Sequence, residues 1–382
     1  MMRFPFQAGA ALVLTLFGLT TLGLSGEYPV APAPRTVEGT PFDLTYLPPD
    51  CCEPGKIQLL VAVRPSVVFG HPDAGTLATR FDRSFLRLTT RWFGTNWVAG
   101  PGVAAIDSIL LSEETWVEHS GDKERPYQVI GFARGMVIRT KTPFDWSAAI
   151  AAWYPKAKKD RYHGALYTGI PIPAALLALF PPEAPSDEFA KATIPVYIPD
   201  DRTLVMGPED SIRKLIDRVQ AREKVPVPVG WDDVARSSLA VAITVPDRGL
   251  VDKLPGGDVE EAKLTFQIAR RTKSAVFGLW AGKSTSIRMV FATENANAAK
   301  EVEKRLRDFH PLFAEAVDAS AKDIPGSTES RFTRMLPDLA HTGRIERNSR
   351  TVRVEAETSE SLRDLIIPML DEFIRENPVI ED

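Results

Sequence analysis

The chain has 382 residues, of which 44% are apolar and 25% charged, a balance that supports a buried core and excludes a wholly disordered chain. A formal net charge of −4 excludes a general nucleic-acid binder, whose affinity depends on lysines and arginines neutralising phosphates. The 31 prolines collect at segment ends and read as punctuation.

The N-terminus has the three-part layout of a secretory signal over residues 1–26. Arg3 is its lone charge, Ala8 to Leu24 carries none, and Gly23, Leu24, Ser25 and Gly26 supply the small residues of a cleavage site. The uncharged run is broken by Gly9, Gly18 and Gly23 and falls short of the ~20 residues that span a bilayer comfortably. Cleavage after Ser25 or Gly26 is the expectation, and an uncleaved anchor is the alternative. Either outcome places the chain outside the cytoplasm, periplasmic or secreted. Leu24-Ser25-Gly26 is followed by Glu27, so no cysteine thiol stands where a lipoprotein would be acylated.

Residues 27–40 hold Pro29, Pro32 and Pro34 with few large apolar side chains and read as an extended linker. Cys51 and Cys52 follow. Adjacent α-carbons lie ~3.8 Å apart, below the usual disulfide range, so a vicinal bridge would be strained. Two cysteines are also too few for a structural zinc site. Free thiols or an incidental bridge are the plain reading, and a redox role is the sharper one.

One pattern then recurs four times: strand, turn, strand, capping signal, amphipathic helix. The first copy runs 128–132, turns at Arg134-Gly135 and returns through 136–140. Thr142 is its expected cap, and Trp146, Ile150 and Trp153 share a helix face. The second has strands 194–198 and 203–206, and a helix carrying Ile212, Leu215, Ile216 and Val219. The third pairs 274–281 with 285–292 across Gly282-Lys283, before a helix with Ala298, Val302, Leu306 and Phe309. In the fourth, 343–347 and 351–356 flank Asn348-Ser349, and Pro368 should kink the helix after them.

First strands start 66 residues apart in copies one and two (128 to 194) and 69 in copies three and four (274 to 343). A leading strand precedes each pair, at 57–63 and at 239–245. It lies 71 residues upstream of its pair in the first case and 35 in the second, which points to an insertion of roughly 36 residues. The expected fold class is therefore α+β in two similar halves, 41–228 and 229–382. Each would be a mostly antiparallel sheet with helices on one face, because an isolated hairpin buries too little surface to be stable.

The insertion holds an amphipathic helix near 75–93, with Leu77, Phe81, Phe85, Leu88 and Trp92 on one side. Opposite them, Arg80, Arg83, Arg87 and Arg91 form a row that would suit an acidic polymer, anionic headgroups or an acidic partner. The plain reading of such a row is a solvated helix face.

No catalytic residues are assigned. Gly282-Lys283-Ser284 matches the end of a phosphate loop, but Phe277 stands where that loop needs glycine, and the segment joins two strands. Ser211 and Lys214 have an S-x-x-K spacing that also fits the first turn of a surface helix. His71, His119, His163, His310 and His341 are scattered without metal-binding spacing, so no metal or cofactor is expected. Asp200-Asp201 reads as a turn before it reads as a calcium ligand pair.

The opening Phe42-Asp43-Leu44-Thr45-Tyr46-Leu47-Pro48-Pro49-Asp50, the strand Val61-Ala62-Val63-Arg64-Pro65 and the segment Ile198-Pro199-Asp200-Asp201-Arg202-Thr203-Leu204-Val205 resemble uncharacterised families of exported bacterial proteins. The resemblance implies export and an α+β fold and carries no functional residue across. Where such openings have one small residue after the Asp, this chain has Cys51-Cys52.

The leading functional expectation is a non-catalytic extracytoplasmic binding or structural protein, with an acidic macromolecule or an envelope protein as partner. An envelope hydrolase with a dispersed site between the halves is one alternative. A membrane-tethered sensor, touching the membrane only through an uncleaved N-terminus, is the other.

Overall fold

The computed structural model describes residues 39–48, 57–70, 100–119, 127–171, 193–225, 227–244, 260–322 and 338–364, with isolated positions at 74, 75, 78, 79, 82, 335 and 367. The signal, most of the linker, Cys51, Cys52, the arginine row, most of the helix at 75–93 and Pro368 lie outside the described residues.

Twelve strands are described: β1 (Ile57–Val63), β2 (Ile106–His119), β3 (Tyr127–Thr140), β4 (Lys158–Tyr162), β5 (Ala165–Pro171), β6 (Thr193–Asp200), β7 (Thr203–Met206), β8 (Leu239–Thr244), β9 (Thr272–Ala281), β10 (Thr285–Thr293), β11 (Arg344–Asn348) and β12 (Thr351–Thr358). The helices are α1 (Pro65–Phe69), α2 (Trp146–Trp153), α3 (Glu209–Ala221), α4 (Glu260–Arg271) and α5 (Ala296–Lys322). This is an α+β protein built on one large antiparallel sheet. Its strand order is β11-β12-β10-β9-β8-β1-β2-β3-β7-β6-β5-β4. Among the described residues no helix is long and apolar enough to cross a membrane.

Alternation along each strand feeds two cores. On β3 and β7, Val137 pairs with Val205 while the next pair, Ile138 with Leu204, faces the other way. Val137 and Val205 pack with Ile212, Leu215 and Ile216 of α3. Ile138 and Leu204 pack with Trp146, Ile150 and Trp153 of α2. Helices therefore cover both faces of the sheet. Around β3 and β7 this corrects the expectation of a single covered face in each half, because central strands such as β7 carry buried apolar residues on both sides. On the α2 side, Val302 and Leu306 of α5 and Ile268 of α4 cover Met289, Phe291, Val352 and Val354.

The expected turn at Arg134-Gly135 is also corrected. Residues 127–140 form one strand, and its ladder to β2 slips between Ser112 and Glu113, leaving Arg134 as an extra residue. Glycine is required beside that bulge, since a Cβ on Gly135 would lie 2.5 Å from Pro48 Cγ. The expected Thr142 cap is replaced by Asp145, whose side chain accepts from the Ala148 N–H at 2.9 Å. Hairpins β6–β7, β9–β10 and β11–β12 fall where periodicity put them.

Residues 39–47 lie across the α3 side as a strap. Phe42, Leu44 and Leu47 are buried in the core there. Arginines secure its backbone: Arg64 donates to Thr40 O, Arg218 to Thr45 O (2.8 Å) and Leu47 O, and Arg236 to Gly39 O (3.2 Å). The Arg64 guanidinium also sits 4.0 Å over the Phe42 ring and donates to Ser237 O at 3.2 Å.

Candidate functional site

Among the described residues a dense polar cluster joins the β4–β5 hairpin to α3. The hairpin closes through His163-Gly164, both with positive φ (47° and 83°), the pattern of a two-residue primed turn. Asparagine is the usual first residue there. A histidine in left-handed backbone is uncommon and needs support from its surroundings.

Three contacts supply that support. His163 Nδ1 lies 2.9 Å from Asp217 Oδ1, its carbonyl accepts from Gln220 Nε2 at 2.9 Å, and its ring stacks on Tyr162 with centroids 4.2 Å apart. Tyr162 Oη donates to the other Asp217 oxygen at 3.1 Å, and Arg213 lies 5.2 Å over the Tyr162 ring. The Tyr162 ring thus meets both an imidazole and a guanidinium. On the neighbouring strand Tyr167 Oη lies 3.2 Å from Asp160 Oδ2 and 3.0 Å from Glu209 Oε1. Glu209 also pairs with Arg213 one helical turn on.

Helix periodicity builds this constellation: Glu209, Arg213, Asp217 and Gln220 form a polar stripe on α3 while Ile212, Leu215 and Ile216 face the core. The bond to the Asp217 carboxylate, then burial, raise the Tyr162 phenol above its ordinary value. Burial raises that of Tyr167 too; a hydrogen bond with Arg213 opposes the rise, and Glu209 and Asp160 add to it. Both phenols therefore remain donors well into alkaline pH. The surface is an exposed aromatic and charged one. His163 is 59% exposed at its side chain, and Leu166, paired with Arg161, is an exposed apolar residue on the face of the hairpin turned away from α3.

Sequence reasoning passed over these residues. It weighed His163 among five scattered histidines, although His163-Gly164 between two alternating runs is a hairpin signal. The other candidates take structural places. Gly282-Lys283 is the β9–β10 turn, with Gly282 N–H donating to Ser284 O at 3.1 Å. Ser211 is fully buried in the first turn of α3, which removes it as an S-x-x-K nucleophile. Asp200 closes the β6–β7 turn by accepting from the Arg202 N–H at 2.9 Å. His310 is buried, with Nε2 2.9 Å from Ala340 O. Among the described residues no three His, Cys, Asp or Glu side chains are grouped to hold a metal.

Fold and site together define an α+β protein with an open antiparallel sheet and a polar hairpin docked on a helix. No family model matches the chain. No curated protein matches it either. Among solved structures it is similar to TP0453 in crystal form III, at 10% identity over 84% of this chain and 98% of that one, with a TM-score of 0.34. TP0453 in crystal form I aligns at 9% identity over 85% and 97%, with a TM-score of 0.35. Scores this low carry no argument about role.

Proposed function

We propose that this is a non-catalytic extracytoplasmic binding protein made of two similar halves, and that the β4–β5 hairpin with the polar stripe of α3 is its binding face. One observation carries the binding face: Tyr162, His163, Arg213 and Asp217 form a stacked, mutually hydrogen-bonded surface group around a residue held at positive φ. Ordered aromatic and arginine side chains at a surface are the groups that dominate recognition energy. Export is supported by the signal pattern of residues 1–26.

The two-half reading is supported by the strand order. From the central β1–β8 pair outward, one side runs β1-β2-β3-β7-β6 and the other β8-β9-β10-β12-β11. β1 and β2 start 49 residues apart (57 to 106) and β8 and β9 33 apart (239 to 272), so the extra length in the first half is smaller than sequence spacing implied. Hairpin β4–β5 is what this correspondence leaves over. An added element on a duplicated frame is a natural place for a dedicated function.

The test is a photo-crosslinking amino acid at Leu166, with the same group at exposed Lys304 of α5 as control, in exported protein mixed with an envelope fraction. A discrete adduct from position 166, lost on Asp217→Ala, is expected. Equal adducts from both positions, or none from 166, would overturn the assignment. A second reading, an envelope hydrolase, is favoured by the His163 Nδ1–Asp217 bond, the arrangement that orients a general base. It requires ester or peptide hydrolysis that His163→Ala abolishes, and inactivity of the parent protein in broad substrate screens removes it.

A further inference from the structure

The two ends of the sheet are unlike. At one end α5 guards β11: Arg307 donates to Ile345 O at 3.2 Å, and Arg347 pairs with Glu303 at 2.8 Å. At the other end stands β4, and Lys158, Lys159, Asp160 and Arg161 are all exposed. An edge strand offers a row of backbone donors and acceptors to any extended chain of matching register.

The charge on this edge is lopsided. Lys156, Lys158, Lys159 and Arg161 oppose the single Asp160, a local balance of +3 in a chain of net −4. The Asp160 carboxylate is already engaged, one oxygen near Tyr167 Oη (3.2 Å) and the other accepting from the Arg161 N–H (2.7 Å). Lysines on an edge ordinarily protect against self-pairing, and they do so here. An antiparallel second copy centred on Asp160 would set Asp160 against Asp160 and Lys159 against Arg161 twice, and like charges directly opposite are destabilising. The same side chains reward an acidic strand, because opposite charges across a ladder stabilise it.

We propose that β4 is an augmentation site that takes an extended acidic peptide segment of a partner protein as a thirteenth strand. This names the partner class for the binding face proposed above and rests on that reading. Lys159 and Arg161, which share one face of β4, meet the partner's acidic side chains. The Arg161 N–H exchanges its local carboxylate acceptor for a carbonyl of the incoming strand. The stacked Tyr162–His163 turn fixes the end of the strand and so its register.

The probe is a fluorescent octapeptide of alternating valine and glutamate, titrated by anisotropy against the full exported protein. A Val-Lys octapeptide and a Val-Glu octapeptide N-methylated at alternate amides serve as controls. Saturable binding of the first peptide is expected, with a loss of at least about tenfold in the K159E/R161E variant. A similar loss is expected for the methylated peptide, which keeps its charge but lacks ladder donors. No binding, or equal binding by parent and variant, overturns the proposal, and so does equal binding of methylated and unmethylated peptides. Crosslinking at Leu166 without peptide binding would leave the binding face standing and remove the acidic strand. Failure of both would remove both.

Discussion

Buried polar side chains tie this molecule's stability to pH, and His310 shows how. Burial, then the neighbouring His341, lowers its pKa from 6.5 to about 4, so the folded protein holds it neutral while its Nε2 meets Ala340 O. An unfolded chain protonates histidine near pH ~6.5. Between those two values the unfolded state binds more protons, so the stability held above pH ~6.5 declines as pH falls and is fully lost below about 4. Urea unfolding at pH 7 and pH 4.5 should show the parent losing about 2 kcal/mol more than His310→Gln over that interval. Equal losses would contradict the assignment. Glu303 adds a loss of the same sign: burial pushes its carboxyl up, but the hydrogen bonds from Arg347 and Arg307 prevail and hold it below the usual range, so its contribution also declines as pH falls.

Elements were legible in the sequence wherever periodicity belongs to a single face. The stripe Ile212, Leu215, Ile216 predicts α3, and turn chemistry at Gly282-Lys283 and Asn348-Ser349 marks two hairpins. Strands β2, β4 and β5 and helix α4 were missed, and β2 and β4 show two different reasons. β2 is a central strand with apolar residues on both faces and acids at Glu113, Glu114 and Glu118, so it shows no clean alternation. β4 reads Lys-Lys-Asp-Arg-Tyr, an edge whose composition resembles a loop. Of the candidate site, the polar stripe on α3 was visible as the outer side of a helix. Its meeting with the hairpin is tertiary: Tyr162 and Asp217 are 55 positions apart. The strap was likewise invisible, since Arg64 acts through carbonyls of Thr40 and Ser237 on distant segments. Arg64→Ala removes charged donors from buried carbonyls and should destabilise the protein by about 3 kcal/mol in chemical denaturation. Arg64→Lys should recover only part, because an ammonium lacks the fork that spans both segments. A loss within experimental error would show that the apolar contacts of Phe42, Leu44 and Leu47 suffice to hold the strap.

For the whole molecule, one antiparallel sheet couples distant segments of the chain. β1 and β8 pair through Val61 and Val241 at its centre, and a single core cluster runs from Phe42 to Val290. Such a frame is stiff in its middle and open to partners at its edges. α5 occupies one edge, and the hairpin and its basic strand present the other. This asymmetry is the centre of the functional account, and amide hydrogen exchange across the chain tests it most directly. In the complex captured from position 166, new protection should be confined to residues 156–171 and to α3, with β11 and α5 unchanged. Protection over β11 and α5 with the hairpin unaffected would contradict the account.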